Sequence, residues 1–512
     1  MKKNNTSKEL YKRLRTVPWP QLWGEEVARF DQATPRARFE RVSVIRAVSV
    51  VFSESGPVEQ EEEVKQWLLR LLHDPEEKIR RYAMAALPKI GAGASEEAEL
   101  LALLRTTTSA REEKFLGQTL GKIGGAATSV TLEAAGGFSS QTVQRVKANV
   151  ARVQSPSAVR LDRVLSDFKH LRIQLRGRGG LEGIVRDEVE EQGMFRVEDV
   201  DRGLVVITAL APFKLADIFA LRCFGTVGFD LGLVKSASEA GSIEALASRI
   251  ASPLALRLLE ALTEGSIRYR LDFIGKGHQR GTVRLVANRA YALCPRILND
   301  AREAPWAVDI HTTRRGASVE LRPRVTPDPR HVYRLDDVPA ASHPPLAACM
   351  ARLGGRMEYE IVWDPFCGSG LELIERALLG GVSRIYGTDR SAAAVGITGR
   401  NFAAARLDFV ETHFICCDFR DFATMQGLPP NSLTLIITNP PLGRRVRIPN
   451  LRGLFDDLFS VAARMLQPGG RLVFTNPFRM ESPQPSLKLQ SRRIVDLGGF
   501  DCQLEVYRKI ER

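Results

Sequence analysis

No Cys-x-x-Cys pair occurs in this chain, and no apolar run approaches the roughly 20 residues that a membrane helix needs. The seven cysteines, Cys223, Cys294, Cys349, Cys367, Cys416, Cys417 and Cys502, are odd in number and scattered. Such spacing builds neither a thiolate zinc site nor a disulfide framework, so no metal is expected and a reducing compartment is. The most apolar early run, Val42 to Phe52, is broken by Arg46. Met1-Lys2-Lys3-Asn4-Asn5 is basic but leads into polar residues, which excludes a secretory signal. A cytoplasmic protein without membrane contact is expected.

Across 512 residues, 44% are hydrophobic and 26% charged, as in ordinary folded proteins. At roughly 100 to 200 residues per domain, the length suggests about three domains. The net charge of +13 and a pI near 9.6 favour a polyanionic partner, because Lys and Arg that neutralise phosphates release condensed counterions.

Residues 37–155 carry Leu, Ile, Val and Ala every three or four positions, which predicts helices throughout. Two stretches repeat each other. One opens at Asp74-Pro75 and runs through Ile79, Ala83 and Leu87 to Gly91; the other runs from Glu112 through Leu116 and Leu120 to Gly124. The 33-residue offset lies in the range of helical solenoids, and each glycine falls where a left-handed helix cap is expected. These segments resemble HEAT repeats, with Arg38 to Ser53 and Gln141 to Val153 as flanking copies. The resemblance implies a helical repeat domain over residues 1–160 whose curved surface holds a protein partner.

From Leu171 the pattern becomes mixed. Leu171 to Leu175 alternates like a strand, Gly179-Gly180 ends it, and Leu181 to Gln192 reads as an acidic amphipathic helix. Further strands are predicted at Gly203–Ile207, Tyr269–Phe273, Trp306–Ile310 and Ala317–Leu321. The stretch Arg178-Gly179-Gly180-Leu181-Glu182-Gly183 and the Arg314-Arg315-Gly316 turn ending in Leu321-Arg322-Pro323-Arg324 are similar to the THUMP-containing RNA methyltransferases. That similarity implies an α+β RNA-binding module over residues 168–326, one that grips the tRNA acceptor end. Arg314, Arg315, Arg322 and Arg324 are then the candidate RNA contacts. A proline-rich linker, Pro339-Ala340-Ala341-Ser342-His343-Pro344-Pro345, and a helix from Leu346 to Leu353 follow.

The last region, residues 327–512, carries the chemistry. Glu360 to Trp363 reads as a buried strand and Leu371 to Leu379 as a helix, joined by Asp364-Pro365-Phe366-Cys367-Gly368-Ser369-Gly370. Strand, glycine-rich turn and helix open a doubly wound nucleotide-binding sheet, and Gly368 and Gly370 let the backbone approach a ligand. Asp389 ends the next strand about 20 residues on, the spacing of a carboxylate that accepts from ribose hydroxyls. Asp418, after the third strand, is placed to accept from an adenine amino group, with Phe419 flanking the ring. The fourth strand, Ser432 to Thr438, delivers Asn439-Pro440-Pro441-Leu442-Gly443-Arg444-Arg445 to the same edge.

Together, Asp364 to Gly370 and Asn439 to Arg445 resemble the THUMP-containing, S-adenosyl-L-methionine-dependent RNA guanine-N2 methyltransferases, over Leu171 to Arg512. The resemblance implies cofactor contacts at Asp364, Phe366, Gly368, Ser369, Gly370, Asp389, Asp418 and Phe419, and catalysis at Asn439, Pro440, Pro441 and Leu442. Gly443 and Arg445 match the family's Asn-Pro-Pro-x-Gly-x-Arg form and, with Phe478, are candidate substrate contacts. An exocyclic amine is a weak nucleophile because its lone pair is delocalised; acceptors at Asn439 and Pro440 would localise it, and the activated methyl makes a metal unnecessary. Leu371 stands where the family has Thr, and Leu442 where it has an aromatic or His. The expected architecture is multidomain: an N-terminal α-helical, HEAT-like repeat, a middle α+β THUMP-like module and a C-terminal α/β, Rossmann-like methyltransferase. The expected partner is tRNA or rRNA. Protein glutamine methylation, or an RNA-binding scaffold with a degenerate methylase, are the competing readings.

Overall fold

The computed structural model describes residues 3–135, 140–235, 238–275, 277, 279–313, 315–339, 341–422, 424, 428–443 and 448–511. Arg314 and Arg445 therefore lie outside the described residues. The chain forms two compact units, Met1–Ala158 with Leu233–Val319, and Val159–Gly232 with Glu320–Arg512. The segment expected as one module, residues 168–326, contributes to both.

Between Lys3 and Gln154 the described residues of the first unit form a succession of helices, with a core built from residues such as Phe30, Trp67, Leu68, Leu87 and Leu120. The two self-similar stretches become helices Glu77–Ala86 and Ala110–Ile123, joined by Arg80 donating to Glu112 at 2.5 Å. The left-handed cap expected at both glycines is found only at Gly91 (φ +75°). Gly124 is extended, at φ −63° and ψ 136°. The next helix starts at Ala126, and the buried Glu97 carboxylate accepts from Gly125 N (2.8 Å) and Thr128 N (2.7 Å), which draws the chain straight on. In the later part of this unit, strands Arg268–Ile274, Leu298–Asn299 and Trp306–Thr313 run parallel. Among the described residues no helix is long and apolar enough to cross a membrane.

The second unit begins with antiparallel strands ordered Phe195–Asp201, Leu204–Ala209, Ile173–Arg176 and Thr226–Val234, with helix Glu182–Gln192. Its larger part is a seven-stranded sheet. The strands are β1 (Glu360–Asp364), β2 (Val382–Asp389), β3 (Glu411–Cys416), β4 (Leu433–Thr438), β5 (Leu466–Asn476), β6 (Leu487–Asp496) and β7 (Asp501–Lys509). The order is β3-β2-β1-β4-β5-β7-β6, with β7 antiparallel to both neighbours and the first five strands parallel. Strand order reverses beside β1, so β1 and β4 open a crevice at their carboxyl ends. Helix α1 (Pro344–Gly354) precedes β1, α2 (Leu371–Leu378) follows it, α3 (Ala392–Ala404) follows β2 and α4 (Leu451–Met465) precedes β5. Helix α1 starts at Pro344, two residues before the expected Leu346, because proline at the first helical position loses no hydrogen bond there.

Glu375 on α2 ties this sheet to the preceding chain. Its carboxylate accepts from Arg222 Nε (2.7 Å), Arg222 Nη2 (2.8 Å) and the Tyr333 hydroxyl (2.5 Å). Burial raises this carboxyl, but the hydrogen bonds from Arg222 and Tyr333 and the Arg222 charge outweigh it, so its pKa is held below the ordinary value. Its stabilisation is then complete above the unfolded-chain glutamate pKa and is lost as pH falls through the lower folded value. Glu375→Gln should cost about 2–3 kcal/mol at pH 7, since it leaves a desolvated guanidinium without its counter-charge. Urea unfolding at pH 7 and pH 3 checks this, and an equal loss at both values would refute it.

Candidate active site at the carboxyl edge

The loop after β1 is shaped by its own backbone. The Asp364 carboxylate, fully buried, accepts from Phe366 N at 2.9 Å, and Gly370 N donates to Cys367 O at 2.7 Å. Gly368 and Gly370 lie at φ +53° and +83°, and a Cβ on Gly370 would sit 2.9 Å from Thr398 Cγ2. Only glycine fits there, so α2 can begin at once and its N-terminal amides face the crevice. Burial and the Glu372 carboxyl push the Asp364 pKa well above the usual range.

The structure brings Asp389 to this loop. One carboxylate oxygen accepts from Gly368 N (3.2 Å) and the other from Ser391 N (2.9 Å). Asn401, unflagged by sequence reasoning, holds the loop from behind. Its amide donates to Ser369 O and Asp336 O, both at 2.9 Å, and accepts from Leu335 N and Asp336 N. Thr398 adds a bond to Gly368 O at 2.9 Å.

Asp418 caps a short helix, accepting from Arg420 N at 2.9 Å and pairing with the Arg420 guanidinium. Phe419 packs on Phe366, ring centroids 5.0 Å apart, and is only 2% exposed. Phe366, half-buried, is the ring of that pair that reaches the surface.

At the end of β4, Asn439 is held from two sides. Its Nδ2 donates to Ser342 Oγ at 2.8 Å, and its Oδ1 accepts from the Thr475 hydroxyl at 2.5 Å. Ser342 gives its own proton to the buried Glu372 carboxylate on α2. Burial raises the Glu372 pKa, and the Ser342 bond works against that. Pro440 is buried behind Asn439, and Pro441 and Leu442 are partly buried, with Leu442 packed on the core around Phe455 and Leu458. Gly443 turns the chain at φ +77°. Phe478 meets Phe455 edge-on at 5.7 Å and stays partly exposed. Sequence reasoning missed Glu372, Thr475 and the contact made by Ser342, for these partners are 30 to 97 residues apart. Only the Ala341-Ser342 element ahead of Pro344 hinted at them.

Exposed Arg315 sits at a hairpin turn and half-buried Arg322 near the far end of strand Gly316–Pro323.

A family model described as "RMKL-like, methyltransferase domain" matches residues 331–484. The chain is 28% identical over 145 residues to a tRNA (guanine(10)-N2)-dimethyltransferase of Methanothermobacter thermautotrophicus, a match that covers 28% of this chain and 40% of that protein. The fold is similar to TrmN from Thermus thermophilus, with TM-score 0.53, 22% identity, and coverage of 67% of this chain and 100% of that one. It is also similar to SMU.472, solved with SAH, at TM-score 0.50 and 14% identity over 67% of this chain and 98% of that one. Residues 331–484 thus have the build of a methyltransferase domain. The cofactor of such a domain is S-adenosyl-L-methionine, and the residues present fit it: an open glycine cradle, a carboxylate at the end of β2 and a partly exposed ring at Phe366.

Gly370→Ala should weaken S-adenosylhomocysteine binding roughly tenfold, from about 1–2 kcal/mol of left-handed strain compounded by the Thr398 contact. Calorimetric titration measures it, and unchanged affinity would contradict the role given to this turn.

Proposed function

We propose that this chain is an S-adenosyl-L-methionine-dependent RNA methyltransferase that forms N2-methylguanosine in tRNA or rRNA. In this reading residues 327–512 are the catalytic domain, residues 168–326 a THUMP-like RNA-binding module and residues 1–160 a HEAT-like repeat. The observation that carries it is the Asn439 amide, fixed at a cofactor-type sheet edge by Ser342 on one side and Thr475 on the other. The net charge of +13 and the tRNA guanine-N2 activity named for the archaeal relative support the substrate class.

The chemistry asked of Asn439 follows from its partners. Ser342 commits its proton to Glu372, so it can only accept from Asn439, and this fixes Nδ2 toward Ser342 and Oδ1 toward Thr475. Thr475 occupies one lone pair of Oδ1 and leaves the other for a substrate N–H. With the Pro440 carbonyl as a second acceptor, an exocyclic amine is held with its lone pair out of the ring plane. Bound S-adenosyl-L-methionine supplies a methyl activated by a sulfonium leaving group. Asp389 and the Gly368 amide are the ribose-side contacts, and Asp418 the adenine-side one. Buried Pro440 fixes the turn, so the acceptors need not reorganise during transfer. Leu442 offers a base an apolar face without π-stacking, which leaves the partly exposed rings of Phe366 and Phe478 near this edge.

Asn439→Ala should lower kcat by about 10²–10³ while cofactor and RNA affinities hold. Ser342→Ala should lower kcat about tenfold with KM unchanged, since it removes only the constraint on the amide. Tritiated methyl transfer to total RNA from a deletion strain, followed by nucleoside mass spectrometry, measures both variants and identifies the product. Label in protein glutamine and none in RNA would replace this reading with protein methylation.

A further inference from the structure

The positive charge of this chain is concentrated in one of its two units. Met1–Ala158 with Leu233–Val319 hold 37 Lys and Arg against 27 Asp and Glu, a net +10, and the remainder holds 36 against 33, a net +3. Most of the excess therefore lies outside the unit that carries Asn439.

Within that unit exposed cations form a row across successive helices. The two self-similar stretches place Lys89 and Lys122 at equivalent positions, 33 residues apart, and the flanking stretches add Arg46 and Arg145. Helix Ser43–Ser55, which bears Arg46, touches the turn Leu87–Lys89, and that turn touches helix Ala110–Ile123, which bears Lys122. Helix Ala110–Ile123 packs on helix Ser140–Gln154, where the Arg145 stem lies 3.6 Å from the place a Cβ on Gly121 would take. Helix Ser140–Gln154 in turn touches helix Arg280–Leu293, which bears Arg284. With Arg302, these cations are all exposed, and among the described residues none is ion-paired with a carboxylate. Glu61, beside Gly91, is taken by Lys65 at 2.6 Å. Arg46 lies over the Tyr11 ring at 4.1 Å, a contact that holds the guanidinium and leaves its charge.

Partial burial of its stem, then the charges of Arg46 and Lys122, lower the Lys89 pKa; burial, then Arg302 and Arg284, lower that of Arg145. The charges that move these two groups are positive in every case. Helix dipoles explain only part of the pattern. A cation in the last turn of a helix, as at Lys122, is favourable, but Arg46 stands in the first turn of its helix, where the dipole disfavours it and no acid offsets it. Like charges gathered against their own repulsion are what a polyanion would relieve.

We propose that this row, from Arg46 through Lys89 and Lys122 to Arg145, Arg284 and Arg302, is a track for the phosphate backbone of the RNA substrate. The identity of the polyanion rests on the RNA methyltransferase reading. Stacked helices that each offer a cation suit a polymer whose charges repeat, and suit an apolar protein face poorly. Such contacts position a strand without reading its sequence.

Two double variants of the full-length protein test the track: Lys89→Gln with Lys122→Gln, and Arg145→Gln with Arg302→Gln. Each should weaken tRNA binding about tenfold and lower the magnitude of the slope of log affinity against log salt by about 1.4–1.8, the loss of two phosphate contacts. Melting temperatures should hold or rise, because repulsion is removed. KM for tRNA should rise with kcat unchanged, and Lys89→Arg with Lys122→Arg should bind as wild type. Wild-type affinity and salt slope in both Gln doubles would overturn the track, and loss of an acidic protein by the same doubles would give the face to that partner. That failure leaves methyl transfer to RNA intact. Failure of the enzymatic reading is the separate case in which no RNA is methylated although the row still governs tRNA affinity, and there the track stands.

Discussion

The buried carboxylate of Glu375 is the constraint on which the active site hangs. It lies on the helix that begins at the cofactor loop, and it takes hydrogen bonds from Arg222, 153 residues earlier, and from Tyr333 in the linker. A carboxylate that is 1% exposed must be paired, and here its partners belong to segments that no sheet hydrogen bond holds. Arg222 passes the connection on, donating to Arg330 O at 2.6 Å. Arg330 in turn donates to the carbonyls of Phe224 and Gly225. Glu188 repeats the device: it accepts from the Arg222 and Cys223 amides at 2.9 Å and from Arg352 on α1. Charged groups thus fix the linker where an apolar contact would let it slide.

With the linker fixed, Ser342 becomes part of the candidate catalytic edge. Three polar residues from three different elements then determine which way one amide faces: Glu372 on α2, Ser342 before α1 and Thr475 on β5. Each is nearly inaccessible to water, at 4%, 9% and 1% exposure, so the alternatives that water would offer are absent and the amide has one low-energy orientation. Burial raises the pKa of both Asp364 and Glu372, and the hydrogen bonds from Phe366 N and from the Ser342 hydroxyl work against that rise.

Much of this was legible in the sequence because it depends on neighbours in the chain. The alternating and glycine-punctuated patterns located β1, β2, β4 and the loop at Asp364 to within a residue or two, and the proline pair marked the turn after β4. What stayed hidden depends on residues that meet only after folding. Glu372 has the spacing of an ordinary helix surface position and is buried; Phe419 follows a strand as a ring-flanking residue would and is inside the core. Gly124 looked equivalent to Gly91 until Glu97, a residue of neither repeat, was seen to direct the chain beyond it.

The position of Ser342 has a consequence for how such an enzyme can be cut or recombined. A boundary drawn at the first strand of the sheet, where the Rossmann-like architecture starts, would separate Asn439 from the hydroxyl that orients it. The same cut would strip the buried Glu375 carboxylate of Arg222 and Tyr333, and Asn401 behind the glycine loop of Leu335 and Asp336. An exchange of upstream segments therefore has to leave the linker from Tyr333 to Ser342 with the sheet that follows it.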